Sequence, residues 1–248
     1  MIFIKSAEEL AKMRKAGRVV AQILNELSQK AKPGVSTEAL DKAARKIISA
    51  NNAQAAFLGY RGYPKSICTS VNDEVVHGIP GQRILKNGDI LSIDVGVFLD
   101  GYCADAALTV PVGKVGKETK DLLEAGEQSL NSGIAKCLAA NRLSDISSEI
   151  QVAAEARGFS VVRDLVGHGI GRSMHEEPQV PNFGKAGKGP LLKKGMVLAL
   201  EPMLNEGTFD VKVLQDGWTV VTEDGKLSCH FEHSVAITGD GPEVLTCL

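Results

Sequence analysis

One ten-residue pattern occurs twice in this chain and constrains the fold more than any other feature. Leu85-Lys-Asn-Gly88-Asp-Ile-Leu-Ser-Ile-Asp94 and Leu192-Lys-Lys-Gly195-Met-Val-Leu-Ala-Leu-Glu201 both read L-K-x-G-x-[IV]-L-x-[IL]-acid. His77-Gly-Ile precedes the first copy and His168-Gly-Ile the second. Downstream, Ala104-Asp105-Ala-Ala-Leu-Thr-Val is answered by Phe231-Glu232-His-Ser-Val-Ala-Ile. Agreement at three places in one order implies two related halves, about residues 1–115 and 116–248, within a single domain spanning 1–248. The unit is far too long for a solenoid repeat, so the halves should face each other across a pseudo-two-fold axis.

Helical signals open both halves. Ser6-Ala-Glu-Glu9 is a capping box, followed by a stripe of Leu10, Met13, Gly17, Val20, Leu24 and Leu27 that Pro33-Gly34 ends. A second helix begins at Ser36 or Thr37, turns Leu40, Ala44, Ile47 and Ile48 inward, and stops at Asn51-Asn52. In the second half one helix is expected from Lys117 to about Ala140, with Leu122, Leu123, Leu130, Ile134 and Leu138 inward. Another is expected from Ser144 to Gly158, with Ile146, Ile150, Val152 and Ala153 inward. Strands fill the remainder of each half, which makes the fold class α+β.

The chemistry begins at a hairpin. Asp89–Leu99 and Tyr102–Leu108 are apolar runs joined by Asp100-Gly101, the dipeptide that best supplies the positive φ angles of a two-residue loop. With those two residues as the loop, Asp105 lies opposite Gly96 and diagonal to Asp94. A loop shifted by one residue makes Asp94 and Asp105 directly opposite, and in both registers they share a face at roughly 5–8 Å. Glu201 and Glu232 occupy similar apolar settings in the second half, with Pro202 holding Glu201 extended. His230 and Ser234 share the face of Glu232, while His233 points away. Four carboxylates in one cleft cannot all ionise without a cation. His168, between Gly167 and Gly169, supplies a softer donor. Asp, Asp, His, Glu and Glu suit two divalent ions about 3.5–4 Å apart.

Composition narrows the setting. With 44% hydrophobic and 23% charged residues and a net charge of −2, the chain is ordinary globular protein without a basic nucleic-acid or membrane patch. Five scattered cysteines without a C-x-x-C pair fit free thiols in a reducing, cytoplasmic compartment. The start, Met-Ile-Phe-Ile-Lys-Ser, is too short for a signal peptide.

Val75-Val-His-Gly-Ile-Pro80, Ser92-Ile-Asp-Val-Gly96, Gly167-His-Gly-Ile-Gly171, His175-Glu-Glu-Pro178, Leu200-Glu-Pro202 and Phe231-Glu-His233 together resemble type I methionine aminopeptidases. The resemblance covers essentially the whole chain. It implies the pita-bread fold, two helix-bearing halves around a curved antiparallel sheet, in the short bacterial form without an N-terminal zinc-binding extension. Its implied activity is metal-dependent removal of the initiator methionine from nascent chains whose second residue is small, through attack of a metal-bridging hydroxide on the first peptide bond. Implied with it are a monomer meeting its substrates at the ribosome and two divalent ions (cobalt, manganese, iron or zinc). A monovalent cation near the carbonyls of Asn72 and Ser228 is implied as well.

Carried over position by position, the resemblance makes Asp94, Asp105, His168, Glu201 and Glu232 the metal ligands and Glu201 also the general base. His175 is implied at the scissile carbonyl oxygen and His77 at the amide nitrogen. The implied substrate pocket is Tyr60, Tyr63, Cys68, His77, Met174, His175 and Trp218, joined by Phe57. Three positions depart from the family pattern. Phe57 stands where a small residue is common, Met174 where Phe is common, and His230 where an amide is usual. Phe57 and Met174 read as a volume exchange across the pocket. Two other readings compete: an X-Pro aminopeptidase or prolidase of the same fold, and a non-catalytic peptide-binding module.

Overall fold

The computed structural model describes residues 1–247. Four helices flank the strands: α1 (Ala7–Lys30), α2 (Thr37–Ala50), α3 (Lys117–Ile134) and α4 (Leu143–Glu155). The Ser6/Glu9 capping box forms in both directions, Glu9 N–H to Ser6 Oγ at 3.2 Å and Ser6 N–H to Glu9 Oε2 at 2.8 Å. All six residues of the expected α1 stripe are buried. Gly17 is required on it because a Cβ there would lie 2.0 Å from the carbonyl oxygen of Leu245.

Both helices of the second half are shorter than their apolar patterns suggest. α3 stops at Ile134, where the N–H groups of Lys136 and Cys137 turn back three residues to Gly133 and Ile134, and the Asn141 amide takes the Lys136 carbonyl. Leu138 therefore sits past the helix and is 42% exposed. In α4 the buried row is Ile146, Ile150 and Ala154, spaced four apart. Val152, two residues off that row on a helical wheel, is 58% exposed.

Each half builds its own sheet and core. The first sheet sets Ile90–Leu99 between Tyr102–Pro111 on one side and Cys68–Val71 and Gln54–Ala55 on the other. Asp100 and Gly101, at φ 51° and 79°, are the only loop residues, so Asp105 faces Gly96 and Asp94 faces Ala107. The second sheet runs Pro242–Val244, His233–Ile237, Val197–Leu200, Gly167–Gly169, Glu176–Val180. One core packs α1 and α2 against the first hairpin, and another packs α3 and α4 against the second sheet. A third apolar cluster lies between them around Phe57, Tyr63, Cys68, Met174 and Trp218.

The halves join along Tyr102–Pro111 and residues 230–235. Ala107 and Glu232 exchange backbone hydrogen bonds of 3.3 and 2.8 Å. On either side the bonding repeats. The Thr109 hydroxyl bridges the N–H and C=O of His230, both at 2.9 Å. The Ser234 hydroxyl bridges those of Asp105 at 3.0 and 2.8 Å. This local two-fold also corrects the repeat register. Ser92 pairs with Thr109 and its repeat-mate Ala199 pairs with Ser234. Asp94 and Glu201 are thus true counterparts, but Glu232 matches Ala107, and Asp105 matches His230. The third sequence match is two residues out. A two-residue slip keeps every side chain on its face, so apolar alternation cannot detect it. By the same logic His168, opposite Ala199, matches Ser70 opposite Ser92, not His77.

Candidate metal centre and substrate cavity

Glycines and strand alternation place the carboxylates. Gly96, across from Asp105, leaves room where a Cβ would lie 3.0 Å from the Phe57 ring and 3.3 Å from Asp105 Oδ1. Gly167 and Gly169 let the His168 strand press between its neighbours, since a Cβ on either would strike a backbone carbonyl at 2.4 or 2.2 Å. Asp105, His168 and Glu232 converge, with one donor atom from each lying within 4.8 Å of the other two. Glu201 stands next to them, its Oε1 3.6 Å from His168 Nε2 and its Oε2 3.7 Å from His230 Nε2. All five residues expected to hold metal line one cavity.

The electrostatics of this cluster are those of a cation site. Burial first, then the neighbouring charges of Asp105 and Glu201, pushes the Asp94 carboxyl well above its ordinary range. Burial and the Asp105 charge do the same to Glu201, and burial with three neighbouring carboxylates to Glu232. Asp105 is pushed by burial up to about 7, with a hydrogen bond from Asp94 working in the opposite direction. Asp94 Oδ1, Asp105 Oδ1 and Glu232 Oε1 are buried without a hydrogen-bond partner among the described residues. Orphaned buried oxygens are costly, and hard oxygen donors beside one imidazole fit a divalent transition metal. His168 is suited to its place: its Nδ1 meets the Gly169 carbonyl at 3.0 Å, which orients the ring, and burial lowers its pKa to about 4.

The whole cavity, carboxylate floor included, measures about 190 Å³, and its walls are Phe57, Tyr60, Tyr63, Cys68, His77, Met174, His175 and Trp218. Every residue expected in the substrate pocket is present on that wall. Tyr63 is fixed by its hydroxyl donating to the carbonyls of Ile67 (3.2 Å) and Gly78 (3.0 Å). It packs edge-on to Trp218 at 5.1 Å and to Phe57 at 6.4 Å. His175 is held between the Tyr60 hydroxyl, 2.8 Å from its Nδ1, and the His168 ring at 4.3 Å. His77 sits in the left-handed region at φ 60°, which turns its ring toward Trp218. Burial and the neighbouring His175 lower the His77 pKa to about 4. Burial, then the Arg61 charge, lowers that of His175. Both imidazoles are neutral near pH 7.

Two residues gain importance in three dimensions. Arg61 lines the cavity and lays its guanidinium 5.4 Å from the Tyr60 ring centre. Its signal in the sequence is the pair of glycines, Gly59 and Gly62, that bracket a tight turn in which Arg61 adopts φ 47°. His230 is 2% exposed, and among the described residues neither ring nitrogen has a hydrogen-bond partner. His233, by contrast, turns away and bonds Thr246 through Nδ1 at 2.8 Å. Asn72 and Ser228, the segments implied for a monovalent cation, are adjacent, the Ser228 N–H donating to the Asn72 carbonyl at 2.9 Å.

Known proteins resemble this chain over its whole length. The model of metallopeptidase family M24 matches residues 11–239. A methionine aminopeptidase of Clostridium perfringens is 53% identical over the full length of both chains. The crystal structure of a methionine aminopeptidase from Thermotoga maritima superposes with a TM-score of 0.99 at 44% identity, covering all of both chains. A prolidase from Pyrococcus furiosus shares the fold, with a TM-score of 0.77 over 99% of this chain and 65% of its own, but only 18% identity. The pita-bread fold is therefore established, and the chain belongs to metallopeptidase family M24, on its methionine aminopeptidase branch.

Proposed function

We propose that this enzyme removes the N-terminal methionine from peptides and nascent chains whose second residue is small. The observation that carries the reading is one cavity, walled by apolar and polarisable side chains and floored by four carboxylates and an imidazole. At about 190 Å³ it is smaller than pockets for drug-sized ligands, which run roughly 300–1,000 Å³, and suits one amino-acid side chain. Cys68 and Met174 offer sulfur and the rings of Phe57, Tyr63 and Trp218 offer faces and edges, a lining matched to a thioether.

Asp94, Asp105, His168, Glu201 and Glu232 would hold two divalent ions, drawn from cobalt, manganese, iron and zinc. Such ions supply Lewis acidity and lower the pKa of water toward neutrality. Glu201, at the edge of the cluster beside His168, accepts the proton of the attacking water and returns it to the departing amine. In the tautomer in which Nδ1 accepts from the Tyr60 hydroxyl 2.8 Å away, neutral His175 carries its proton on Nε2 and offers it to the scissile carbonyl oxygen as negative charge develops there. His77 bonds the scissile amide nitrogen. Backbone carbonyls near Asn72 and Ser228 accommodate a monovalent cation.

The setting we infer is the cytoplasm, where a monomer meets emerging chains at the ribosome. Four of the five cysteines are buried and all are free, as a reducing compartment permits. Among the described residues no helix is long and apolar enough to cross a membrane. The prolidase reading is not favoured, because likeness at 18% identity carries the fold alone. A panel of Met-Ala-Ser, Met-Leu-Ser, Leu-Ala-Ser and Ala-Pro-Ser tests the substrate class. Methionine released from Met-Ala-Ser alone supports the reading, and cleavage of Ala-Pro-Ser in its place overturns it.

A further inference from the structure

The N-terminal segment contains a cation that the proposed reaction does not use. Lys5 precedes α1 and its side chain is only 5% exposed. Its ammonium meets Glu176 Oε2 at 2.6 Å, with the Glu176 side chain 6% exposed, and also donates to the Phe3 carbonyl at 3.3 Å. A buried ion pair is seldom a net source of stability, but removing one partner leaves an uncompensated charge. What this pair holds is therefore more informative than its energy.

It holds the loop that carries Met174 and His175. Glu176 Oε1 accepts the N–H groups of Arg172 (2.8 Å) and Ser173 (3.3 Å), closing residues 172–176 on themselves. Both Glu176 oxygens are thus committed, one inside the loop and one to Lys5. The loop passes so close to this pair that a Cβ on Gly171 would lie 2.5 Å from Lys5 Cε and 2.7 Å from Glu176 Oε1. Lys5 is itself anchored, its N–H donating to the Gly195 carbonyl at 2.7 Å, at the turn that leads into the Val197–Leu200 strand and Glu201. A second tether, Arg172 to Glu9 at 3.2 Å, is weaker because Arg172 is 75% exposed. At the other end of the loop, the Cys103 N–H donates to the Gly171 carbonyl at 2.7 Å, two residues from Asp105.

We propose that Lys5 is a positioning residue for His175: through the buried Lys5–Glu176 pair the N-terminal segment fixes the loop 171–176, and with it the imidazole over the cavity. The proposal rests on the reading above, in which His175 contacts the substrate. Without the ammonium, Glu176 must seek water or another donor. Its displacement moves the neighbouring His175 away from Tyr60 and His168.

The test uses the metal-loaded enzyme and hydrolysis of Met-Ala-Ser. Lys5→Met is expected to lower kcat/KM at least tenfold, and Lys5→Arg to restore most of it. Glu176→Gln, which keeps an oxygen for the two loop N–H groups but loses the charge, is expected to match Lys5→Met, and the double variant to be no worse than either. In a His175→Ala background, Lys5→Met is expected to cost less than twofold more, because the group it positions is gone. A general structural role would instead multiply the two losses. Equal loss from Lys5→Met in both backgrounds, or full activity of Lys5→Met, overturns the proposal. Should the parent enzyme fail to release methionine, it is the functional reading that falls.

Discussion

Replacing Asp105 by Asn should stabilise the metal-free protein while abolishing its affinity for metal. Burial raises the Asp105 carboxyl from 3.8 to about 7. A folded-state pKa above the unfolded one means that the folded state binds the proton more tightly. The carboxyl then destabilises the fold progressively as pH rises from about 4 to about 7, and by a constant amount above that. Roughly three pH units, at about 1.36 kcal/mol for each, give a penalty on the order of 4 kcal/mol. At about 2–4 °C per kcal/mol for a chain of this size, metal-free Asp105→Asn should melt on the order of 10 °C above the parent near pH 8. The gain should shrink by about half near pH 5.5 and vanish toward pH 4. Thermal unfolding of chelator-treated protein across that range is the assay. Saturating divalent metal should reverse the order, since only the parent gains binding energy. A variant no more stable than the parent near pH 8, or a gain that does not change with pH, would refute the reasoning.

Gly96→Ala places a methyl group 3.0 Å from the Phe57 ring and 3.3 Å from Asp105 Oδ1, so it should cost at least tenfold in kcat/KM with little change in secondary structure by circular dichroism. Metal affinity measured by calorimetry should rise steadily with pH from pH 5 upward, because the metal must displace the protons that burial holds on Asp94, Asp105, Glu201 and Glu232, whereas His168, lowered to about 4, is already neutral throughout; an affinity independent of pH would contradict this. His175→Ala should lower kcat by about 10²–10³ with a smaller change in KM, as expected for a group acting on charge developed in the transition state. The Phe57→Ala, Met174→Phe double variant should recover rate lost by either single change if the two exchange volume across the cavity, where both are buried; additive losses would show that they are independent.

The hairpin of Asp94 and Asp105 is legible in the sequence because its loop chemistry is local. Asp100-Gly101 specifies a two-residue turn, and the turn fixes the register that follows. The α1 cap and stripe are legible for the same reason. What the sequence hides depends on distant contacts or on period. The end of α3 is set by a turn and by the Asn141 side chain, beyond the reach of an apolar pattern that continues to Leu138. The duplication is visible, yet its third match is displaced by two residues, a slip invisible to a period of two. The strand pairing, with the matching bonds of Thr109 and Ser234, reveals that Asp105 and His230 are mates. The acidic cluster is thus not one pair seen twice: Asp94 and Glu201 occupy matching places in the repeated pattern, while Asp105 and Glu232 meet across the joint from unmatched positions. Arg61 leaves only two glycines as its trace, and the commitment of Lys5 to Glu176 leaves none.

On the proposed function, carboxylates from both halves build one metal-dependent centre that releases methionine. Its most direct test is methionine release from Met-Ala-Ser by protein stripped of metal and titrated with manganese, cobalt or ferrous iron, for the parent and for Glu201→Ala. The expected result is no release without metal, release that saturates as metal is added, and none from Glu201→Ala at any metal level. Turnover that survives stripping, or that Glu201→Ala retains, would contradict it.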